Sequence, residues 1–168
     1  MNNKGITFAG DSTEDEFISI VPGSYKLKKN DPRGDVECTD PTTGEVYFVE
    51  VKKTTLNQVR PNKYNVLVSK DTDSGDWYVI PPHRIVALCL NRRGQHTPDP
   101  LQCVGLGKIT SQRWETYKVK PGRLSDDVLL AYKLGQKHTK LRRLAESHKQ
   151  DQEMGRLTYQ DKLRSLLG

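Results

Sequence analysis

An aspartate, a glutamate and a lysine are spaced so that one β-hairpin would bring them together. Residues 34–55 contain two runs rich in β-branched and aromatic residues around Pro-Thr-Thr-Gly, a sequence typical of a hairpin loop. With the loop at residues 41–44, antiparallel pairing places Asp35 opposite Glu50. Strand alternation puts Lys52 on the face of Glu50. Because directly opposed carboxylates destabilise a strand pair, we expect a cation between them.

This trio suits metal-assisted hydrolysis of a phosphodiester. Asp35 and Glu50 offer the hard oxygen ligands that hold Mg²⁺ and leave positions for water and a phosphate oxygen. The ion would polarise the phosphorus and generate the attacking hydroxide. Lys52 would orient that water or offset the negative charge of the transition state.

The spacing resembles the PD-(D/E)XK nuclease superfamily, which includes many restriction endonucleases and Holliday-junction resolvases. In that family an Asp lies on one strand and Glu-x-Lys on the next; here these are Asp35 and the Glu-Val-Lys sequence of residues 50–52. Gly34 replaces the usual proline before the aspartate. The resemblance implies that Asp35, Glu50 and the backbone carbonyl of Val51 bind Mg²⁺, for which Mn²⁺ would substitute. It also implies that Lys52 positions the nucleophilic water.

A helix is predicted over residues 10–21, with Ser12 or Thr13 as its cap. Glu14 would lie on the same side of this helix as Phe17 and face the core. Members of the family often place a glutamate on the first helix near the metal, which makes Glu14 a candidate outer-shell ligand. A first-turn acid favoured by the helix dipole is an equally good interpretation.

Four further polar residues are candidates for contact with phosphate. Arg33 lies in the loop that leads into the hairpin, where a merely exposed arginine is the alternative. Pro61 limits residues 56–64 to a helical turn, and many family members direct Gln, Lys, Arg or Tyr from this element towards the scissile phosphate. The candidates here are Gln58, Arg60 and Lys63. Each is also compatible with a solvated loop.

The remaining pattern predicts an α/β (α+β) fold, a central mixed β-sheet flanked by helices, with a restriction-endonuclease-like core. The order α-β-β-β-α-β agrees with the resemblance. The further expected elements are strands at 64–69, 76–80, 101–109 and 113–119, a helix from Pro81-Pro82, and helices from Ser125 onward that break near Gly135 and Gly155. Trp114 and Tyr117 would be either base-stacking residues or buried anchors. We divide the chain into a nuclease core, residues 1–124, and a basic helical extension, residues 125–168.

The positive charge is concentrated in the last third of the chain. Residues 1–107 contain 13 basic and 14 acidic side chains, whereas residues 108–168 contain 14 basic and 7 acidic ones. A basic flank beside an acidic metal site is what a nuclease needs for phosphate binding. The nucleic-acid-binding candidates in this segment are Lys137, Lys140, Arg142 and Arg143. The extension would lie along DNA or pack on a second subunit; a solvated helical tail is the alternative.

Several functional classes are disfavoured by composition. No apolar run approaches the length of about 18 residues typical of a membrane span, and the N-terminus lacks the apolar segment of a signal peptide. Three cysteines without a C-x-x-C pair indicate free thiols and a cytoplasmic, reducing location. The four histidines lack zinc spacing.

The leading hypothesis is therefore a Mg²⁺-dependent DNA endonuclease, acting on duplex or branched DNA as a homodimer that cuts both strands. A nucleic-acid-binding module without catalysis, on the same fold, is the alternative. An assembly protein that uses the helical tail is a third hypothesis.

Overall fold

The computed structural model describes residues 9–155, which form one mixed sheet with helices on both faces. The helices are α1 (Ala9–Ile20), α2 (Pro82–Cys89), α3 (Leu124–Lys137) and α4 (Thr139–Met154). The strands are β1 (Tyr25–Lys26), β2 (Val36–Thr39), β3 (Val46–Lys52), β4 (Val66–Lys70) and β5 (Trp77–Ile80). Within the described residues, 3₁₀ helices span Pro61–Lys63, here called the first, and Gln112–Tyr117.

The sheet has the order β1-β2-β3-β4-β5, in which β3 and β4 are parallel and the other neighbours antiparallel. The β2–β3 hairpin has the predicted register, with Val36 paired to Val49 and Thr39 to Val46. The parallel β3–β4 pair requires a crossover, and residues 53–65 supply it through the first 3₁₀ helix. The predicted α+β fold with a mixed sheet and flanking helices is confirmed.

The two faces of the sheet contact different elements. On one face, α1 and α3 pack against valines of β2, β3 and β4, including Val36, Val49 and Val68. On the other face, α2, α4 and residues 101–109 pack against Leu67 and Ile80. β-branched residues fit such a pleated, buried surface well.

Both C-terminal helices bury side chains in these clusters. Val128 of α3 lies in the first cluster and Ala145 of α4 in the second, against which the partly buried Leu141 and Leu144 also pack. The break between the helices falls at His138, three residues beyond Gly135, and the N–H of His138 donates to the Gly135 carbonyl. The predicted end of α4 at Gly155 is confirmed by its left-handed conformation. The helical prediction beyond residue 155 lies outside the described residues.

Gly135 has a packing role that explains why the helix continues through it. A Cβ atom at this position would lie 2.5 Å from Cγ of Pro82, the first residue of α2. A glycine inside α3 thus permits close approach of the two helices, where the sequence pattern suggested a helix end.

Three local predictions are wrong. Residues 101–109 form no regular strand; they bond to residues 54–59 through isolated bridges, including Val104 to Val59. Residues 112–117 form a 3₁₀ helix, because Trp114 and Tyr117, three residues apart, lie on the same side of a three-residue turn and Trp114 is buried. Helix α1 begins at Ala9, so the predicted cap at Ser12 or Thr13 lies inside the helix.

Within residues 9–155, no helix has the length and apolar character needed to cross a membrane. Cys38, Cys89 and Cys103 are free and buried.

Candidate active site

The backbone of the hairpin fixes Asp35 against the end of β3. The register that pairs Val36 with Val49 places Asp35 opposite Glu50. The backbone N–H of Asp35 donates to the Val49 carbonyl at 3.1 Å, and the Val51 N–H donates to Oδ2 of Asp35 at 2.8 Å. The carboxylate is therefore positioned by β3 itself.

Glu50 and Lys52 alternate along β3 with Val49 and Val51, which face the core. Nζ of Lys52 lies 3.3 Å from Oε2 of Glu50 and donates to the Gln58 carbonyl, also at 3.3 Å. The side chains of Glu50 and Lys52 are only 13% and 21% exposed. The charged pair thus sits in a largely desolvated position, where electrostatic interactions are stronger than at the surface.

Asp35, Glu50 and Lys52 line a single cavity of about 340 Å³. The complete lining is Asn30, Asp31, Gly34, Asp35, Glu50, Lys52, Gln58, Arg60 and Lys63. The predicted trio and the three candidates from the crossover, Gln58, Arg60 and Lys63, are therefore brought together. Arg33 and Glu14 are not part of this lining.

One wall of the cavity is the loop that precedes β2. Arg33 was a candidate for phosphate contact, but its Nε and Nη2 donate to the carboxylate of Asp31 at 3.1 and 2.9 Å. These bonds lower the pKa of Asp31 to about 2. Asn65 holds the same loop by donating to the Arg33 carbonyl at 2.7 Å, and a Cβ atom at Gly34 would lie 2.9 Å from Nδ2 of Asn65. The tight loop directs Asp31 into the cavity lining.

The opposite wall comes from the crossover between β3 and β4. Gln58 adopts a left-handed backbone conformation and donates its N–H to Oε1 of Gln95 at 2.7 Å. Lys63 ends the first 3₁₀ helix, and Tyr64 follows it in a left-handed conformation. Asn62 in the same turn donates to Oε1 of Gln152 on α4 at 2.5 Å. The position of Lys63 therefore depends on the C-terminal helix.

A second polar contact ties α4 to this side of the cavity. Nε2 of Gln152 donates to Oδ2 of Asp99 at 2.6 Å, and Nε2 of His148 lies 2.6 Å from the same oxygen. Asp99 also accepts the N–H of Leu101 at 3.0 Å. These contacts anchor α4 to the segment that packs under the crossover.

The cavity perturbs its own ionisable groups. Burial raises the pKa of Glu50, and the neighbouring charge of Asp35 adds to the rise, while Lys52 and Lys63 oppose it. Burial lowers the pKa of Lys63, and the carboxylates of Glu50 and Asp35 oppose that change. Perturbed groups converging in one cleft are typical of functional sites, although structural ion pairs also produce them.

The basic residues of the C-terminal helices lie outside the cavity lining. Lys137, Lys140 and Arg143 are exposed, whereas Arg142 is partly buried and donates to Oε1 of Gln136. Lys149 of α4 is close enough to Lys63 for its charge to contribute to the lowered pKa of that lysine. The helix therefore brings positive charge near the cavity through Lys149, a residue that is not among the nucleic-acid-binding candidates named from the sequence.

The role predicted for Glu14 gains no support from its position. Helix α1 packs through Phe17 on the sheet face that carries Val49 and Val51, opposite the face of Glu50 and Lys52. Asn30 and Asp31, in contrast, line the cavity without having been singled out. The Asp-Pro-Arg-Gly sequence of residues 31–34 predicts a loop but does not predict the loop conformation that places Asp31 in the cavity lining.

The donor set of the cavity fits a hydrated hard cation. Asp35 and Glu50 supply carboxylate oxygens, which Mg²⁺ prefers over nitrogen and sulfur ligands. Among residues 9–155, no group of three or more His, Cys, Asp or Glu side chains could hold a metal ion. Mg²⁺ usually keeps several waters and uses one or two carboxylates, so two carboxylates on the wall of a cavity of about 340 Å³ are compatible with it.

Comparisons of the chain with protein-family models, with curated proteins and with solved structures find no match.

Proposed function

We propose that the protein is a Mg²⁺-dependent endonuclease that hydrolyses phosphodiester bonds in DNA by a PD-(D/E)XK mechanism. One observation supports this above the others: Asp35, Glu50 and Lys52 line the same cavity. Carboxylates for a metal and a lysine for the nucleophile are the minimal side-chain set for this hydrolysis.

Asp35 and Glu50, with the backbone carbonyl of Val51, would hold Mg²⁺ or Mn²⁺. The ion, when bound, supplies Lewis acidity at the phosphate and makes a water more acidic. The hydrogen bond from the Val51 N–H to Asp35 keeps that carboxylate oriented without a metal. Little reorganisation of Asp35 would then be needed on binding.

Lys52 would orient the attacking water and offset the charge that develops on the phosphate oxygens. Its ammonium group is held between Oε2 of Glu50 and the Gln58 carbonyl. A cation fixed in this way costs no reorganisation during the reaction. Arg60 and Lys63, on the wall formed by the crossover, would bind the substrate phosphate.

DNA is the proposed substrate because the positive charge extends beyond the cavity. Lys140 and Arg143 are exposed and available for contact with phosphates. Two active sites in a homodimer would cut both strands. Free, buried cysteines suit the reducing cytoplasm that we propose as the location.

Incubation of supercoiled plasmid with the purified protein tests the proposal. We expect nicking with Mg²⁺ or Mn²⁺, none with EDTA, and none by the Asp35→Asn variant, which should still bind DNA in a mobility-shift assay. Asp73→Asn is a matched control, because Asp73 lies in the exposed β4–β5 turn. Full nicking by Asp35→Asn, or equal nicking with EDTA, would reject the metal-dependent mechanism.

A nucleic-acid-binding module without catalysis is the second candidate. The close pairing of Glu50 with Lys52 favours it, since the two charges offset each other without a metal. Such a module would bind DNA with a steep salt dependence but would not nick plasmid under any metal condition.

A further inference from the structure

A second concave surface lies along α3, two strands away from β3. It is a groove of about 250 Å³, whose walls include Tyr117, Pro81 and the side of α3. Leu130 and Leu134, one turn apart on this helix, are 52% and 37% exposed. Two leucines that face solvent beside a groove form an unpartnered apolar stripe.

Charged residues flank these leucines at symmetric positions. Asp127 lies three residues before Leu130, and Lys137 lies three residues after Leu134. The resulting 3-4-3 spacing is that of a coiled-coil seam. The order along the helix is acidic, leucine, leucine, basic. If a second copy of the helix lies alongside in the opposite direction, each acidic residue faces a basic residue and each leucine faces a leucine.

We propose that α3 is the contact surface of a two-fold symmetric homodimer, in which the two α3 helices pack antiparallel. Leu130 would contact the partner's Leu134, and Asp127 would contact the partner's Lys137. A two-fold interface requires such a self-complementary patch. The occupant of the groove is thus a second copy of this chain.

The local charges permit this arrangement. Asp127 lines the groove and is 29% exposed, and its intrahelical partner Arg123, which is 53% exposed, lies 3.5 Å away; such solvated pairs are of small energetic value. Lys118 on the far wall is engaged by Glu115 at 3.2 Å and Asp76 at 3.7 Å. The carboxylate of Asp127 can therefore accept a cation from the partner.

The interface would leave the candidate active site open. The groove and the cavity share no lining residue, and β4 separates β5, at the groove, from β3. A 14-residue helix is only about 21 Å long. Since standard interfaces bury about 800 Å² per partner, we expect a weak dimer, with a Kd on the order of micromolar.

Sedimentation equilibrium of the full chain across the micromolar range tests the proposal. We expect Leu130→Glu to abolish the dimer, and Asp127→Lys or Lys137→Glu to weaken it about tenfold, because each reversal creates two like-charge contacts. Circular dichroism would verify that the variants are folded, as we expect for substitutions at exposed or partly exposed positions. Asp73→Lys, a reversal in the β4–β5 turn, should leave the Kd unchanged.

Charge exchange gives the decisive measurement. An equimolar mixture of Asp127→Lys and Lys137→Glu should form heterodimers with close to the wild-type Kd, and the double variant should form homodimers of similar affinity. A wild-type protein that stays monomeric overturns the interface. Failure of both the mixture and the double variant to recover overturns the antiparallel pairing. Neither result depends on nuclease activity.

Discussion

The two faces of β3 carry opposite kinds of side chain and make opposite contributions. Val49 and Val51 face the cluster under α1 and α3 and are almost fully buried. Glu50 and Lys52, their neighbours in sequence, face the cavity. Burial of the valines stabilises the fold, whereas burial of Glu50 opposes its ionisation and raises its pKa. One strand thus combines a stabilising face with a face whose charges are retained at a cost.

The clearest way to sharpen this contrast is to remove a charge that the proposed reaction needs. We predict that Lys52→Ala lowers the DNA cleavage rate by about three orders of magnitude, as does the loss of one preorganised electrostatic donor elsewhere. Single-turnover cleavage in Mg²⁺ measures this effect. Because Lys52 offsets the charge of buried Glu50, the variant should also lose some thermal stability, and circular dichroism should confirm that it is folded under the assay conditions.

Lys53 provides the matched control for Lys52. It is the next residue, equally basic, and absent from the cavity lining. Lys53→Ala should cleave at close to the wild-type rate. Similar losses in both variants would indicate a general effect of charge and would remove Lys52 from the proposed mechanism.

Substitutions on the opposite face of β3 should change the free energy of unfolding. Val49→Ala removes two buried methyl groups at a fully buried position, so we expect a loss of roughly 2 kcal/mol in the free energy of unfolding. Urea denaturation measures it. Val46→Ala, at a 44% exposed position of the same strand, should change stability by less than about 0.5 kcal/mol. Equal losses at both positions would contradict the assignment of the core face.

Neutralising Glu50 should increase the free energy of unfolding, whereas Val49→Ala decreases it. Because the folded state raises the pKa of Glu50 above 4.5, its ordinary value, the folded protein is favoured at low pH and loses this contribution as pH rises through the raised pKa. Because glutamine does not ionise, Glu50→Gln avoids the cost of a buried charge at neutral pH. At neutral pH in EDTA we therefore expect Glu50→Gln to raise the free energy of unfolding relative to the wild-type protein.

The control for this variant is Glu37→Gln. Glu37 is also 13% exposed, but it accepts a hydrogen bond from Tyr25 and lies 3.9 Å from Arg33. Its neutralisation should not stabilise the protein. Thermal melts of both variants between acidic and neutral pH make the comparison. If Glu50→Gln is less stable than the wild-type protein at neutral pH, the ion pair between Glu50 and Lys52 contributes more than burial of the Glu50 charge costs.

The hairpin could be predicted from sequence because its determinants are local. A marked loop at residues 41–44 and strict alternation in β3 fix the register, and the register alone places Asp35 opposite Glu50. The crossover turn was also predictable, since Pro61 limits its length. Neither inference needed knowledge of distant contacts.

Features that depend on distant partners were not predictable. Residues 101–109 have the composition of a strand but bond to the irregular segment 54–59, so no strand partner exists there to extend the sheet. The pairing of Arg33 with Asp31 depends on a loop fold that Asn65 stabilises from the crossover. The conformation of residues 101–109 and the pairing of Arg33 with Asp31 are therefore determined by tertiary packing.

The smallest expected effect distinguishes cations that face the cavity from those that only lie near it. Lys63→Gln and Arg33→Gln each remove one positive charge, but only Lys63 belongs to the cavity lining. We predict that Lys63→Gln raises the Kd for DNA about fivefold, since a partly exposed ionic contact contributes up to about 1 kcal/mol. Arg33→Gln should raise it less than about twofold, because Arg33 is held by Asp31. Fluorescence anisotropy in Ca²⁺ at several salt concentrations measures both, and Lys63→Gln alone should reduce the salt slope by about one. Equal weakening by the two variants would mean that long-range charge, and not contact within the cavity, attracts the DNA.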